Sequence, residues 1–90
     1  MTTVLKTFTI ENELGIHARS AAMIVEVANR YRAKIFLEKN GKEVNAKSIL
    51  GILTLGCPKG SKVTIRAEGS DADEAIEDLG KLIGNKFGEN

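Results

Sequence analysis

The sequence predicts a two-layer α+β fold, a sheet of four strands covered by helices, and three observations carry that expectation. Four short segments, Val4–Ile10, Ala33–Leu37, Lys42–Asn45 and Lys62–Glu68, have strand character, three of them with apolar and polar residues alternating at period two. Between and after them lie segments whose apolar residues recur at helical spacing on one side only. One-sided helices and strands must bury their apolar faces against each other, which gives sheet on helices in the order β-α-β-β-α-β-α. Third, 90 residues with 42% hydrophobic and 28% charged side chains suit one domain over residues 1–90.

In the first strand Val4, Lys6, Phe8 and Ile10 share one face, while Leu5, Thr7 and Thr9 share the other. Glu11-Asn12-Glu13-Leu14-Gly15 breaks the alternation and reads as a loop. From Ala18 to Asn29 a helix is expected, with Ala21, Ile24, Val25 and Ala28 inward. Ala33, Ile35 and Leu37 then alternate with Lys34, Phe36 and Glu38. Asn40-Gly41 is a strong hairpin signal, since both residues tolerate positive φ. Lys42–Asn45 is short and polar, which suits a sheet edge. Lys47–Leu55 reads as a short apolar helix stopped by Gly56. Lys62–Glu68 is the fourth strand, with Val63, Ile65 and Ala67 inward. The last helix, Asp71–Asn85, presents Ala72, Ala75, Ile76, Leu79, Leu82 and Ile83, and Asp71 with Glu74 suggests a capping box. Gly88-Glu89-Asn90 is expected to fray.

Composition excludes several functions. Thirteen basic against twelve acidic residues leave a net charge of +1, no general basis for attracting nucleic acid or an anionic membrane. Three Phe, one Tyr and no Trp make a base-stacking platform hard to build. Met1–Ile10 lacks the pattern of a signal peptide, and no apolar run approaches the ~18 residues of a membrane span. A soluble, cytoplasmic protein with no membrane insertion is expected. Cys57 is the sole cysteine and reads as a small buried hydrophobe.

His17, the only histidine, stands where the first loop gives way to the first helix. Gly15 permits a tight turn into that helix. The free N–H groups of Ala18, Arg19 and Ser20 would then lie near the ring, and with the helix dipole they favour a negative charge there. Arg19 adds a planar cationic fork suited to phosphate. The same field disfavours imidazolium and keeps a ring nitrogen nucleophilic. The arrangement suits a histidine that accepts phosphate and equally suits simple anion binding. With no second His, a metal site is poor.

Gly15-Ile16-His17-Ala18-Arg19, Lys47-Ser48-Ile49-Leu50-Gly51 and Leu55-Gly56, with the Asn40-Gly41 hairpin and the Lys59-Gly60 turn, resemble HPr, the histidine-containing phosphocarrier family of the bacterial phosphoenolpyruvate-dependent phosphotransferase system. The likeness runs through essentially the whole chain. It implies an open-faced β-sandwich, a four-stranded antiparallel sheet with three helices on one face. It implies that His17 takes a phosphoryl group on Nδ1 from Enzyme I and passes it to EIIA domains, with Arg19 binding the phosphate. A carrier of this kind is not itself an enzyme; a monomer without cofactor is expected. Two positions depart from the family pattern. Ser20 stands where Pro is common, which keeps an N–H and adds a hydroxyl. Glu26 and Asn29 stand where basic residues often face Enzyme I.

Ser48 precedes an apolar run and reads as a helix N-cap. The resemblance adds regulatory phosphorylation there by an HPr kinase/phosphorylase. The short helix holds more apolar residues than one face can bury, so Ile49, Leu50 and Leu53 are candidates for a docking patch. Competing readings are a regulatory paralogue, the nitrogen-type carrier, and a protein-binding module whose histidine is never phosphorylated. A small RNA-binding domain lacks basic excess.

Overall fold

The elements form in the predicted order. The computed structural model describes residues 2–90. Its strands are Thr3–Thr9 (β1), Lys34–Lys39 (β2), Lys42–Asn45 (β3) and Lys62–Glu68 (β4), and its helices Ala18–Ala28 (α1), Ile49–Thr54 (α2) and Ala72–Gly84 (α3). A single 3-10 turn, Lys86–Gly88, follows.

All strand pairs are antiparallel, in the order β1-β4-β2-β3. The register sets Val4 and Ile35 opposite Ala67, Leu37 opposite Ile65 and Phe8 opposite Val63, so the apolar faces coincide on one side. Asn40 and Gly41 turn the β2–β3 hairpin with φ of 52° and 85°, the left-handed region that a two-residue turn requires. β3 is a sheet edge, as its polarity suggests.

The helices cover the apolar face. α3 packs on β1 and β4, while α1 packs against α2 and α3. Ile24, Ile35, Leu37, Ile52, Ile65, Leu79 and Phe87 are buried among them, and each such side chain contributes roughly 1.5–3 kcal/mol by leaving water. The opposite face of the sheet is open. There the Arg66 guanidinium lies 4.2 Å from the centre of the Phe36 ring, bonds both carboxylate oxygens of Glu43 at 3.0 and 2.7 Å, and pairs with Glu68. The open-faced sandwich implied by the resemblance is therefore the fold that forms.

Two local expectations are corrected. Asp71 is the N-cap residue of α3, but its side chain caps nothing there. Its carboxylate instead accepts from the backbone N–H groups of Arg32 and Ala33, both at 2.9 Å, tying the entry of β2 to α3. Those donors hold the Asp71 carboxyl below its ordinary range. The tail does not fray. Phe87 is fully buried, and the Glu13 N–H donates to the Asn90 carbonyl at 2.6 Å.

A candidate phosphoryl-acceptor site at the start of the first helix

The loop between β1 and α1 is folded tightly by Gly15. Its φ is +66°, and a Cβ there would fall 2.3 Å from the Cys57 carbonyl oxygen. Only glycine lets the chain pass this close while Ile16 N–H donates to that same oxygen at 2.8 Å. The next residue, His17, is the N-cap of α1, with an extended backbone. Its ring Nδ1 accepts from the Arg19 N–H at 3.3 Å. A backbone N–H can only donate, so Nδ1 carries a lone pair and the ring proton sits on Nε2.

Nε2 faces the tail. It lies 3.1 and 3.0 Å from the two carboxylate oxygens of Glu89. The same carboxylate receives the Arg19 guanidinium at 3.1 Å and the Asn12 amide at 2.8 Å. The Asn12 bond, reinforced by His17 and the Arg19 charge, holds the Glu89 carboxyl below its ordinary range against the opposing effect of burial. The Glu89 side chain is only 14% exposed, whereas that of Arg19 is 63% exposed. Asn12 is fully buried and donates from the same amide nitrogen to the Gly15 carbonyl at 2.7 Å. Its amide must point this way because both neighbours are acceptors.

His17, Ala18 and Arg19 are thus brought together at an exposed helix start, as the sequence suggests. Ser20 belongs to the same turn, but its side chain points inward: it is fully buried, and its Oγ accepts from the His17 N–H at 2.8 Å. Ser48 caps α2, its Oγ accepting from the Gly51 N–H at 3.0 Å. On α2, Ile49, Leu50 and Leu53 are exposed, Leu50 by 77%. Among the described residues, no group of three or more His, Cys, Asp or Glu is arranged to hold a metal ion, and no helix is long and apolar enough to cross a membrane.

Sequence reasoning missed three residues. Glu89 reaches His17 across 72 positions, and nothing in a polar chain end announces that. Asn12 had a usable signal, an Asn three residues before a Gly in a loop, the setting for a local side-chain-to-backbone bond. Leu14 is an apolar residue outside any strand or helix period and is 72% exposed two residues before Ile16-His17.

This fold has close counterparts. The family model described as "PTS HPr component phosphorylation site" matches residues 4–85. Phosphocarrier protein HPr of Cupriavidus necator is 42% identical over 81 residues, covering 90% of this chain and 91% of that protein. The HPr structure from Thermoanaerobacter tengcongensis superposes with a TM-score of 0.91 at 48% identity, covering 100% of this chain and 99% of that one. That of Bacillus anthracis gives 0.87 at 48% identity, covering 92% and 99%. A small antiparallel sheet backed by three helices is the architecture shared with these phosphocarrier proteins. The chain belongs to the HPr family of the phosphotransferase system.

Proposed function

We propose that this chain is a cytoplasmic phosphocarrier, one HPr unit over residues 1–90, that accepts a phosphoryl group on Nδ1 of His17 from Enzyme I and hands it to EIIA domains. One observation carries the reading: Nδ1 of His17 faces the first turn of a helix, accepting from the Arg19 N–H, while Nε2–H is held by Glu89, which also pairs with the Arg19 guanidinium. The Nδ1 lone pair attacks the phosphorus of phospho-Enzyme I, forming an N–P bond as the donor's N–P bond breaks. Positive charge develops on the His17 ring, and the Glu89 carboxylate at Nε2–H offsets it. The Arg19 N–H loses its acceptor as Nδ1 bonds to phosphorus, and turns to a phosphoryl oxygen. With the Ala18 N–H and the Arg19 guanidinium it forms the anion cradle. In the onward step a nucleophile of the EIIA domain bonds to phosphorus as the Nδ1–P bond breaks and its electron pair returns to Nδ1, the chain ending unchanged, as befits a carrier rather than an enzyme.

The exposed Leu14, Ile49, Leu50 and Leu53 form the docking patch for Enzyme I and EIIA domains in this reading. Ser48, at the cap of the same helix, is the site where an HPr kinase/phosphorylase would regulate docking. A monomer suits one site facing one partner at a time; an HPr of Thermoanaerobacter tengcongensis has also been solved as a dimer. The test is incubation with Enzyme I and labelled phosphoenolpyruvate, then addition of an EIIA domain. Acid-labile label on this chain that passes to EIIA supports the reading. Label that is acid-stable, or never leaves the chain, defeats it.

A further inference from the structure

We infer that Ser20 is a positioning residue for His17, acting through the backbone rather than through the phosphate; this rests on the reading of His17 as the acceptor. Residue 20 is N3 of α1, and the N-cap is the reactive histidine itself. The Ser20 Oγ accepts from the His17 N–H at 2.8 Å. Its hydroxyl proton has the His17 carbonyl at 3.2 Å and the Gly15 carbonyl at 3.4 Å as acceptors. In return the His17 ring accepts from the Arg19 N–H, which completes a reciprocal capping box.

A capping box on an ordinary N-cap stabilises a helix and does no more. Here the capped residue is the one that must present its lone pair, so the box fixes the His17 backbone and with it the direction of Nδ1. Full burial of Ser20 matters. The hydroxyl comes from inside the domain, and without it the part-buried His17 N–H loses its side-chain acceptor, which releases the hold on the loop. The lock also removes the His17 N–H from the anion cradle and leaves that role to Ala18 and Arg19. A residue without a side-chain acceptor at position 20, such as Pro, would free that N–H. The hydroxyl is therefore this chain's own way of setting the ring.

The test compares Ser20→Ala and Ser20→Thr with the unaltered protein, using imidazole 15N shifts, amide exchange at His17 and transfer from Enzyme I. In Ser20→Ala the His17 N–H should exchange about tenfold faster or more, the two ring shifts should converge as tautomers mix, and transfer should fall about tenfold. Ser20→Thr, which keeps the hydroxyl, should recover the shifts and most of the rate. Unchanged ring shifts and rate in Ser20→Ala, with only a lower melting temperature, would overturn the inference and leave Ser20 a helix cap. Unaltered protein that takes no phosphoryl group would instead defeat the acceptor reading, and the ring shifts alone would still decide the role of Ser20.

Discussion

The Glu89 carboxylate meets the His17 ring at Nε2, 3.0 Å away, and the Arg19 guanidinium at 3.1 Å, so one tail residue contacts both members of the proposed acceptor pair. Two consequences follow. Glu89→Gln keeps the shape but removes the charge that offsets the ring cation, and transfer should slow about tenfold, the usual scale for a group orienting an imidazole from behind. The carboxyl is held below its ordinary range in the folded chain, so its contribution to stability is present above the unfolded value of about 4.3 and is lost as pH falls through the folded one. Melting temperatures of the two proteins should therefore differ at neutral pH and merge in acid. Curves that stay parallel would show that the charge of Glu89 adds nothing to stability.

Gly15→Ala should unsettle the site from the backbone. A left-handed conformation costs a residue with a Cβ about 1–2 kcal/mol, and this Cβ would also strike the Cys57 carbonyl oxygen. A domain of this size loses roughly 4–8 °C per kcal/mol. The expected outcome is a lowered melting temperature together with slower phosphoryl transfer, since Ile16 and His17 follow directly. A normal rate would mean the loop adjusts without moving the ring.

Arg19→Ala should separate rate from stability. The side chain is largely exposed and its ion pair among the described residues is with Glu89, so thermal unfolding should shift by only a few degrees. Its proposed work is on the charge of the transferring group, where loss of one such donor costs on the order of 100-fold in rate. Stopped transfer assays beside melting curves check this. A large loss of stability with an unchanged rate would make Arg19 structural.

Ser48→Asp should weaken Enzyme I binding while leaving the fold standing. A negative group at a helix N-terminus is tolerated, but beside exposed Ile49, Leu50 and Leu53 it must be desolvated on docking. Ser48→Ala should transfer normally and lose about 1 kcal/mol from the missing cap to the Gly51 N–H. Calorimetry of both variants against Enzyme I distinguishes the outcomes. Equal affinity for Ser48→Asp and the unaltered protein would confine Ser48 to capping.

Local physics made most of the fold legible. Alternation along Lys62–Glu68, the Asn40-Gly41 turn and the one-sided apolar stripes of α1 and α3 each reflect a few neighbouring residues and a buried face. His17, Gly15 and Ser48 were legible for the same reason, as turn and cap chemistry is local. Glu89 was not, because its partners lie across the molecule and become neighbours only when Phe87 is buried and Asn90 is tied to Glu13. Asp71 shows the converse: the local capping signal was present, but two backbone donors at the start of β2 took the carboxylate instead.

The acceptor atom itself is open to direct observation. The 15N-labelled chain, phosphorylated by Enzyme I and phosphoenolpyruvate, can be followed by long-range 1H–15N and 31P correlation at the His17 ring, with His17→Ala as control. The expected result is phosphorus bonded to Nδ1 with the proton retained on Nε2, and no phosphoryl group on a folded His17→Ala. Phosphorus on Nε2, or on any other residue with the His17→Ala protein still labelled, would contradict it.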